Sequence, residues 1–157
     1  MRAVQRIRSV GVAATVLAIA STGIAGTAVA QRMSGADKEF VVIVGEASPL
    51  TTVSREQLSQ IFLKKTRTLP GGREAMPVDI VGHAKARIAF SNVVHKRSLV
   101  AIQNFWNQQI FSGKEVPPPQ MAREVDIVAF VRGNPDAVGY VSPAAELGAG
   151  VRVLRLE

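Results

Sequence analysis

The chain has 157 residues, of which 47% are hydrophobic, and it carries a formal net charge of +7. This length is typical of a single domain. The chain contains no cysteine, which excludes disulfides, a thiolate nucleophile and cysteine-ligated zinc.

The first thirty residues have the pattern of a secretory signal peptide. Three arginines precede an uncharged stretch, Val10 to Ala30, which ends in the small residues Ala-Val-Ala. This pattern predicts cleavage after Ala30 and export to the periplasm. The alternative is a retained membrane anchor, since 21 uncharged residues are long enough to cross a bilayer. A lipoprotein anchor is excluded because no cysteine follows the stretch.

Beyond the signal, residues 31–38 are small and polar and are predicted to be a flexible lead-in to one domain, residues 39–157. Removing residues 1–30 leaves 16 basic and 12 acidic residues, a net charge of +4. This mild positive charge suits an anionic ligand. Nucleic acid is not an expected partner, because export separates the chain from it and no aromatic residues alternate with the charges.

The first predicted element of the domain is a strand. Phe40 to Val44 is a continuous apolar run rich in β-branched residues. Such a run is typical of a strand that is buried on both faces, as in layered α/β proteins. Gly45 to Thr52 is predicted to be a loop.

The clearest helix signal lies in Val53 to Lys65. Ser54 is a predicted N-cap, and Gln57, three residues later, completes a capping box. Apolar residues follow at helical spacing. Lys64 and Lys65 are predicted to lie in the last turn, where the helix dipole favours cations.

Two further helices are predicted after a second strand, Pro77 to Val81. One begins after Gly82 and ends near Lys96 and Arg97. Ser98 is the predicted cap of the next, whose broad apolar face consists of Leu99, Ile102, Phe105, Trp106 and Ile110.

The C-terminal part is predicted to contain two more strands. Glu124 to Arg132 is apolar and ambiguous between helix and strand, although Gly133 followed by Asn134-Pro135 is typical of a helix end. Val138 to Val141 and Val151 to Leu154 are the predicted strands.

The sequence shows no recognisable catalytic or metal-binding pattern. The two histidines, His83 and His95, are far apart in sequence and have no acidic partner at ligand spacing, so no metal site or cofactor is expected. His95 is interpreted as a solvated residue near a basic helix end. No serine lies in a Gly-x-Ser-x-Gly turn between a strand and a helix, and the chain is therefore not expected to be an enzyme.

Two groups of residues are candidates for binding an anion. The strand-to-helix turn has backbone amides at a helix N-terminus, a glycine that allows close approach, and a lysine. Its residues are Gly82, His83, Ala84 and Lys85. The loop after the first strand adds the hydroxyls of Ser48, Thr51 and Thr52. The alternative for both groups is ordinary turn chemistry.

A basic cluster, Lys64, Lys65, Arg67 and Arg73, is interpreted as a solvated helix end and loop. The alternative is an unspecific contact with an acidic partner.

Three segments together resemble a known family. They are residues 53–65, which contain Leu-Ser-Gln-Ile-Phe-Leu, the strand-turn-helix at residues 78–90, and residues 134–141, Asn-Pro-Asp-Ala-Val-Gly-Tyr-Val. In this order and spacing, the chain resembles the periplasmic phosphate-binding proteins of ABC transporters, within the type II periplasmic-binding-protein superfamily. The match spans Phe40 to Leu154, and the length is that of a short, one-lobe member.

The resemblance implies an α/β fold in which helices flank a mixed sheet, and non-catalytic binding of an oxyanion. The chain also departs from the family. The family's ligand turn carries an arginine on the strand and Ser-Gly-Thr at the helix start, and residues 78–85 have neither. Asp79 on the strand would repel phosphate if it pointed into the site.

The expected function is therefore that of an exported, non-enzymatic solute-binding-like domain with weak affinity for phosphate or another oxyanion, accessory to an ABC transporter. Its expected partners are that anion and a membrane permease or envelope protein. The alternative is an envelope protein–protein interaction module that kept the fold and lost the ligand.

Overall fold

The computed structural model describes residues 39–82 and 84–157. These residues form four helices and eight short strands. The helices are α1 (Arg55–Phe62), α2 (Lys85–Val94), α3 (Leu99–Phe111) and α4 (Glu124–Gly133). The strands are β1 (Val41–Gly45), β2 (Thr52–Val53), β3 (Met76–Pro77), β4 (Asp79–Ile80), β5 (Gln120–Met121), β6 (Ala137–Val141), β7 (Val151–Val153) and β8 (Arg155–Leu156).

The central sheet has four strands in the order β3-β6-β1-β7. Strand β1 is antiparallel to β6 and β7, whereas β3 is parallel to β6, so the sheet is mixed. The register pairs Val41 with Val141 and Val44 with Val138. Two parallel pairs, β2 with β8 and β4 with β5, lie outside this sheet.

Helices cover both faces of the sheet. Gly139 in β6 faces α4, because a Cβ built on it would lie 2.7 Å from Ile127. The next residue, Tyr140, points to the opposite face, where its ring stacks on Phe90 of α2 with centroids 4.0 Å apart. Phe62 of α1 joins the same aromatic cluster. The predicted α/β architecture, a mixed sheet flanked by helices, is confirmed.

Helix α1 begins as the sequence predicts and ends earlier. The Gln57 amide donates to Ser54 Oγ at 3.1 Å, and the Ser54 amide donates to Gln57 Oε1 at 3.2 Å, which completes the capping box. The helix ends at Phe62. Placing Lys64 and Lys65 in the last turn was wrong: the Lys65 amide reaches back to the Gln60 carbonyl at 2.9 Å, which closes the helix in a Schellman motif beyond its last residue.

Three other predicted elements need adjustment. The strand expected at Pro77 to Val81 is divided between β3 and β4, which pair with different partners. The ambiguous segment is helix α4, which ends at Gly133 with Asn134 as its C-cap. Helix α3 buries a narrower face than expected, because Phe105 is half-buried and Ile110 is 49% exposed. Within the described residues, none of the helices is long and apolar enough to cross a membrane.

Candidate functional site

The described residues of the turn between β4 and α2 are partly or fully exposed. Gly82 is exposed, has φ +72°, and would find no atom within 4 Å of an added Cβ. Ala84 is the N-cap of α2 and provides no side-chain acceptor for the first-turn amides, and the first turn has no acidic residue. Lys85 begins the helix and is exposed. Helix α2 therefore begins with amides that have no side-chain cap and with one exposed cation. His83 lies outside the described residues.

A buried ion pair between Arg87 and Asp79 holds this turn in place. The Arg87 guanidinium donates to the Gly82 carbonyl at 3.1 Å and to Asp79 Oδ2 at 2.9 Å. The side chains of Arg87 and Asp79 are only 6% and 15% exposed. The Tyr140 hydroxyl donates to Asp79 Oδ1, and the Ile80 amide donates to the same oxygen at 2.8 Å. The guanidinium therefore neutralises the carboxylate that was expected to repel an anion.

The titration of this cluster follows from its burial. Burial raises the pKa of the Asp79 carboxyl, and the hydrogen bonds and charge of Tyr140 and Arg87 oppose that rise. Burial raises the pKa of Tyr140, and the neighbouring Asp79 carboxylate raises it further. The hydroxyl consequently stays protonated and remains a donor.

The sequence suggested that His95 is a solvated residue, and the structure shows that it is not. Its Nδ1 lies 2.9 Å from Ser59 Oγ, and its ring packs edge-on against Phe90 at 5.3 Å. Burial, assisted by the charge of Arg97, lowers the pKa of His95 to about 4. Within the described residues, no carboxylate is hydrogen-bonded to the His95 ring. The Ser59–His95 pair therefore links α1 to the end of α2 without the third member of a catalytic triad.

His95 is expected to make the fold sensitive to acid. The unfolded histidine titrates near its ordinary pKa of 6.5, whereas the folded one titrates near 4. Stability from this residue is therefore complete above about pH 6.5 and is lost as the pH falls toward 4, by up to about 3 kcal/mol. Denaturant unfolding of the wild type and of His95→Gln at both ends of this range measures the effect. The variant should show a shallower loss on acidification. An identical pH slope in both proteins would contradict the assignment.

The structure does not bring the two predicted groups of site residues together. The loop with Ser48, Thr51 and Thr52 follows the C-terminal end of β1, which pairs with Val138. Strand β4 continues from β3, which is parallel to β6, and the Val78 amide between them donates to the Val138 carbonyl at 2.9 Å. The chain therefore runs beside β6 in the same direction as β6 and opposite to β1. Gly82 therefore lies at the other end of β1, about 13 Å away along the strand.

The three hydroxyl-bearing residues of that loop differ in their exposure to solvent. Ser48 is buried, and its Oγ lies 3.5 Å from the Leu50 amide. Thr51 and Thr52 are exposed. An anion held at the α2 turn would receive no hydroxyl from these three residues.

A separate groove lies elsewhere on the described part of the chain. It has a volume of about 200 Å³, and Ile61, Met76, Pro77 and Phe130 are among its lining residues. Its cations are already paired: Arg67 lies 2.5 Å and Lys64 3.6 Å from Glu115. The same residues 39–82 and 84–157 contain no group of three or more acidic or histidine side chains placed to hold a metal ion.

Sequence reasoning missed Arg87 and Tyr140 as supports of the turn. A signal for them was present, because Asp79 lies between the apolar residues Val78 and Ile80 and a buried carboxylate requires a partner. The sequence did not identify which of several arginines supplies it.

Comparison with known proteins supports the fold. The sequence matches no protein-family model and no curated protein. The structure is similar to an ABC-type phosphate transport receptor from Vibrio cholerae, with a TM-score of 0.58 and 16% identity over 75% of this chain and 46% of that chain.

Two other solved structures give the same result. A Clostridium perfringens protein described as a phosphate ABC transporter substrate-binding protein, solved with bound phosphate, has a TM-score of 0.57 and 18% identity over 75% of this chain and 44% of its own. A possible phosphate-binding protein from Planctomyces limnophilus has a TM-score of 0.55 and 13% identity over 76% of this chain and 41% of its own. The chain thus has the fold of these phosphate-binding proteins and spans less than half of their length, which fits a single lobe.

Proposed function

We propose that this protein is an exported, non-enzymatic solute-binding-like domain that holds a small oxyanion, such as inorganic phosphate, at the N-terminus of α2. The observation that carries the proposal is the open turn itself, where Gly82 is unobstructed, Ala84 leaves the first-turn amides without a side-chain cap, and Lys85 adds a positive charge. The likeness to solved phosphate-binding proteins is independent support.

The charge of the turn supports the same proposal. The carboxylate on β4, Asp79, is paired with Arg87 and accepts a hydrogen bond from the Tyr140 hydroxyl. Lys85 is exposed and has no acidic neighbour within the first turn of the helix. An approaching anion therefore meets a net positive charge together with the positive end of the helix dipole.

The proposed affinity is low. Two amide bonds to an anion and one lysine contribute on the order of 4 kcal/mol after desolvation, which corresponds to a Kd of about 1 mM. The turn has no hydroxyl donors, and a single lobe does not close over the ligand. This affinity suits an accessory role beside a transporter in the periplasm, with a membrane permease or envelope protein as partner.

Calorimetric titration with phosphate tests the proposal on the chain from Gln31 onward, the predicted mature form, since the described residues form a compact unit with its own core. Binding near 1 mM is expected. Lys85→Ala should weaken it several-fold. Ala84→Asp should abolish it, because the new carboxylate caps the same amides and repels the anion, and should also stabilise α2 by about 0.5–2 kcal/mol.

Ser98→Asp is the matched control. It places the same carboxylate at the N-cap of α3, where Ser98 Oγ already accepts the Ala101 amide at 3.2 Å, and it should leave phosphate binding unchanged. If the wild type shows no binding heat at any accessible phosphate concentration, the proposal is contradicted. That result would favour the alternative, an envelope interaction module that kept the fold without the ligand.

A further inference from the structure

The turn after α3 presents the most exposed large apolar residue of the described chain. Phe111 is 91% exposed, and Ile110 and Val116 on either side of the turn are 49% and 57% exposed. We name residues 110–116 the apolar tip. An aromatic ring that is exposed to this extent protrudes from the surface, and Phe111 is not among the residues that line the groove described above.

The tip is held rigidly in this position. Helix α3 closes in a Schellman motif, with the Gly113 amide donating to the Ile110 carbonyl and the Lys114 amide donating to the Gln109 carbonyl, each at 3.0 Å. Gly113 adopts φ +65°, as the motif requires. Three consecutive prolines at positions 117–119 follow the tip, and the middle one is buried. The exposure of Phe111 is therefore not the result of a frayed helix end.

The surroundings of the tip are cationic. Lys114 belongs to the tip, and its acidic residue, Glu115, is covered by Arg67 at 2.5 Å and by Lys64 at 3.6 Å. Lys65 follows Lys64 in the sequence and is exposed. Counting these four cations against Glu115 and the nearby Glu74 leaves a net charge of +2. Helix α3, which carries the tip, has no charged residue from Leu99 to Phe111.

We propose that the apolar tip docks the domain peripherally on an anionic lipid bilayer. Phe111, Ile110 and Val116 enter the interfacial region, Lys114 contacts acidic headgroups, and the net positive charge of the neighbouring residues adds attraction. This is the combination of apolar burial and electrostatic attraction that peripheral binding requires. A second copy of the chain is a poorer occupant, because two tips would bring their cations together. A protein groove would suit a protruding apolar tip but does not explain the surrounding positive charge.

Sedimentation with vesicles tests this docking, again on the chain from Gln31 onward, so that the apolar segment of residues 10–30 does not bind lipid itself. The wild type should bind phosphatidylcholine vesicles containing phosphatidylglycerol and should bind pure phosphatidylcholine poorly. Phe111→Ala should lower the partition coefficient about tenfold. Lys114→Glu should lower it about 30-fold, and binding should weaken as salt shortens the Debye length from ~10 Å at 0.1 M to ~3 Å at 1 M.

Two matched controls separate the tip from general effects. Val100→Ala removes an exposed apolar side chain at the other end of α3, and Arg155→Glu makes the same charge change in β8. Both should retain wild-type binding. Failure of the wild type to bind anionic vesicles, or equal losses in the controls and the tip variants, would overturn the proposal. A protein would then be the favoured partner of the tip. Phosphate binding at α2 is measured separately and does not depend on this result.

Discussion

Replacing Arg87 by alanine is expected to destabilise the fold by about 3–5 kcal/mol, because it leaves the Asp79 carboxylate buried without its cation. The Arg87 side chain is 6% exposed, and its guanidinium donates both to Asp79 at 2.9 Å and to the Gly82 carbonyl at 3.1 Å. Equilibrium unfolding in urea measures the loss. The deficit should shrink in acid, since a protonated Asp79 no longer carries an unpaired charge.

Arg123→Ala is the matched control for this ion pair. Arg123 also pairs with an aspartate, at 2.6 Å from Asp126, but the arginine side chain is 71% exposed. Water solvates the partner after truncation, and no measurable loss is expected. The double variant Asp79→Leu/Arg87→Met should recover most of the stability, because an apolar pair leaves no unpaired charge. Equal effects of Arg87→Ala and Arg123→Ala would refute the buried pair.

Phe90→Ala is expected to cost about 3–5 kcal/mol, the usual range for truncating a buried aromatic residue. Phe90 in α2 is 1% exposed and packs against α1 and the sheet. It stacks on Tyr140 at 4.0 Å and contacts Phe62 at 4.7 Å and Phe40 at 5.4 Å. Removal leaves a cavity that three neighbouring rings cannot fill without leaving their own contacts.

The same substitution at Phe111 supplies the comparison. Phe111 is 91% exposed, so Phe111→Ala should change the free energy of unfolding by no more than about 0.5 kcal/mol. Thermal or urea unfolding of the two variants side by side checks both values. A large loss at Phe111 would show that the tip is packed in solution, which would also contradict its proposed contact with lipid.

The fold was largely predictable because its elements have strong local signals. The capping box at Ser54 and Gln57, the continuous apolar run of β1 and the helix end after Gly133 each depend on residues close in sequence. The end of α1 was less predictable. Lys64 adopts a left-handed φ of 51°, a conformation that glycine usually supplies and that the lysine pattern did not indicate.

The candidate site was predictable only in part. The α2 turn follows from a local strand-to-helix pattern, whereas its support by Arg87 and Tyr140 depends on contacts over eight and 61 residues of separation. Combining the turn with Ser48, Thr51 and Thr52 failed because their positions depend on strand direction. Both groups follow strands, but β1 and β4 run in opposite directions, so their C-terminal ends lie apart.

Amide NMR spectra recorded during a phosphate titration test the proposed site most directly. The backbone amides of Lys85, Ala86 and Arg87 should shift with a common saturation curve, and Ala84→Asp should remove those shifts while the rest of the spectrum is preserved. The first turn of α3 provides an internal comparison, because Lys96 and Arg97 precede it and Ser98 caps it. Shifts confined to that turn, or none at any phosphate concentration, would contradict binding at α2.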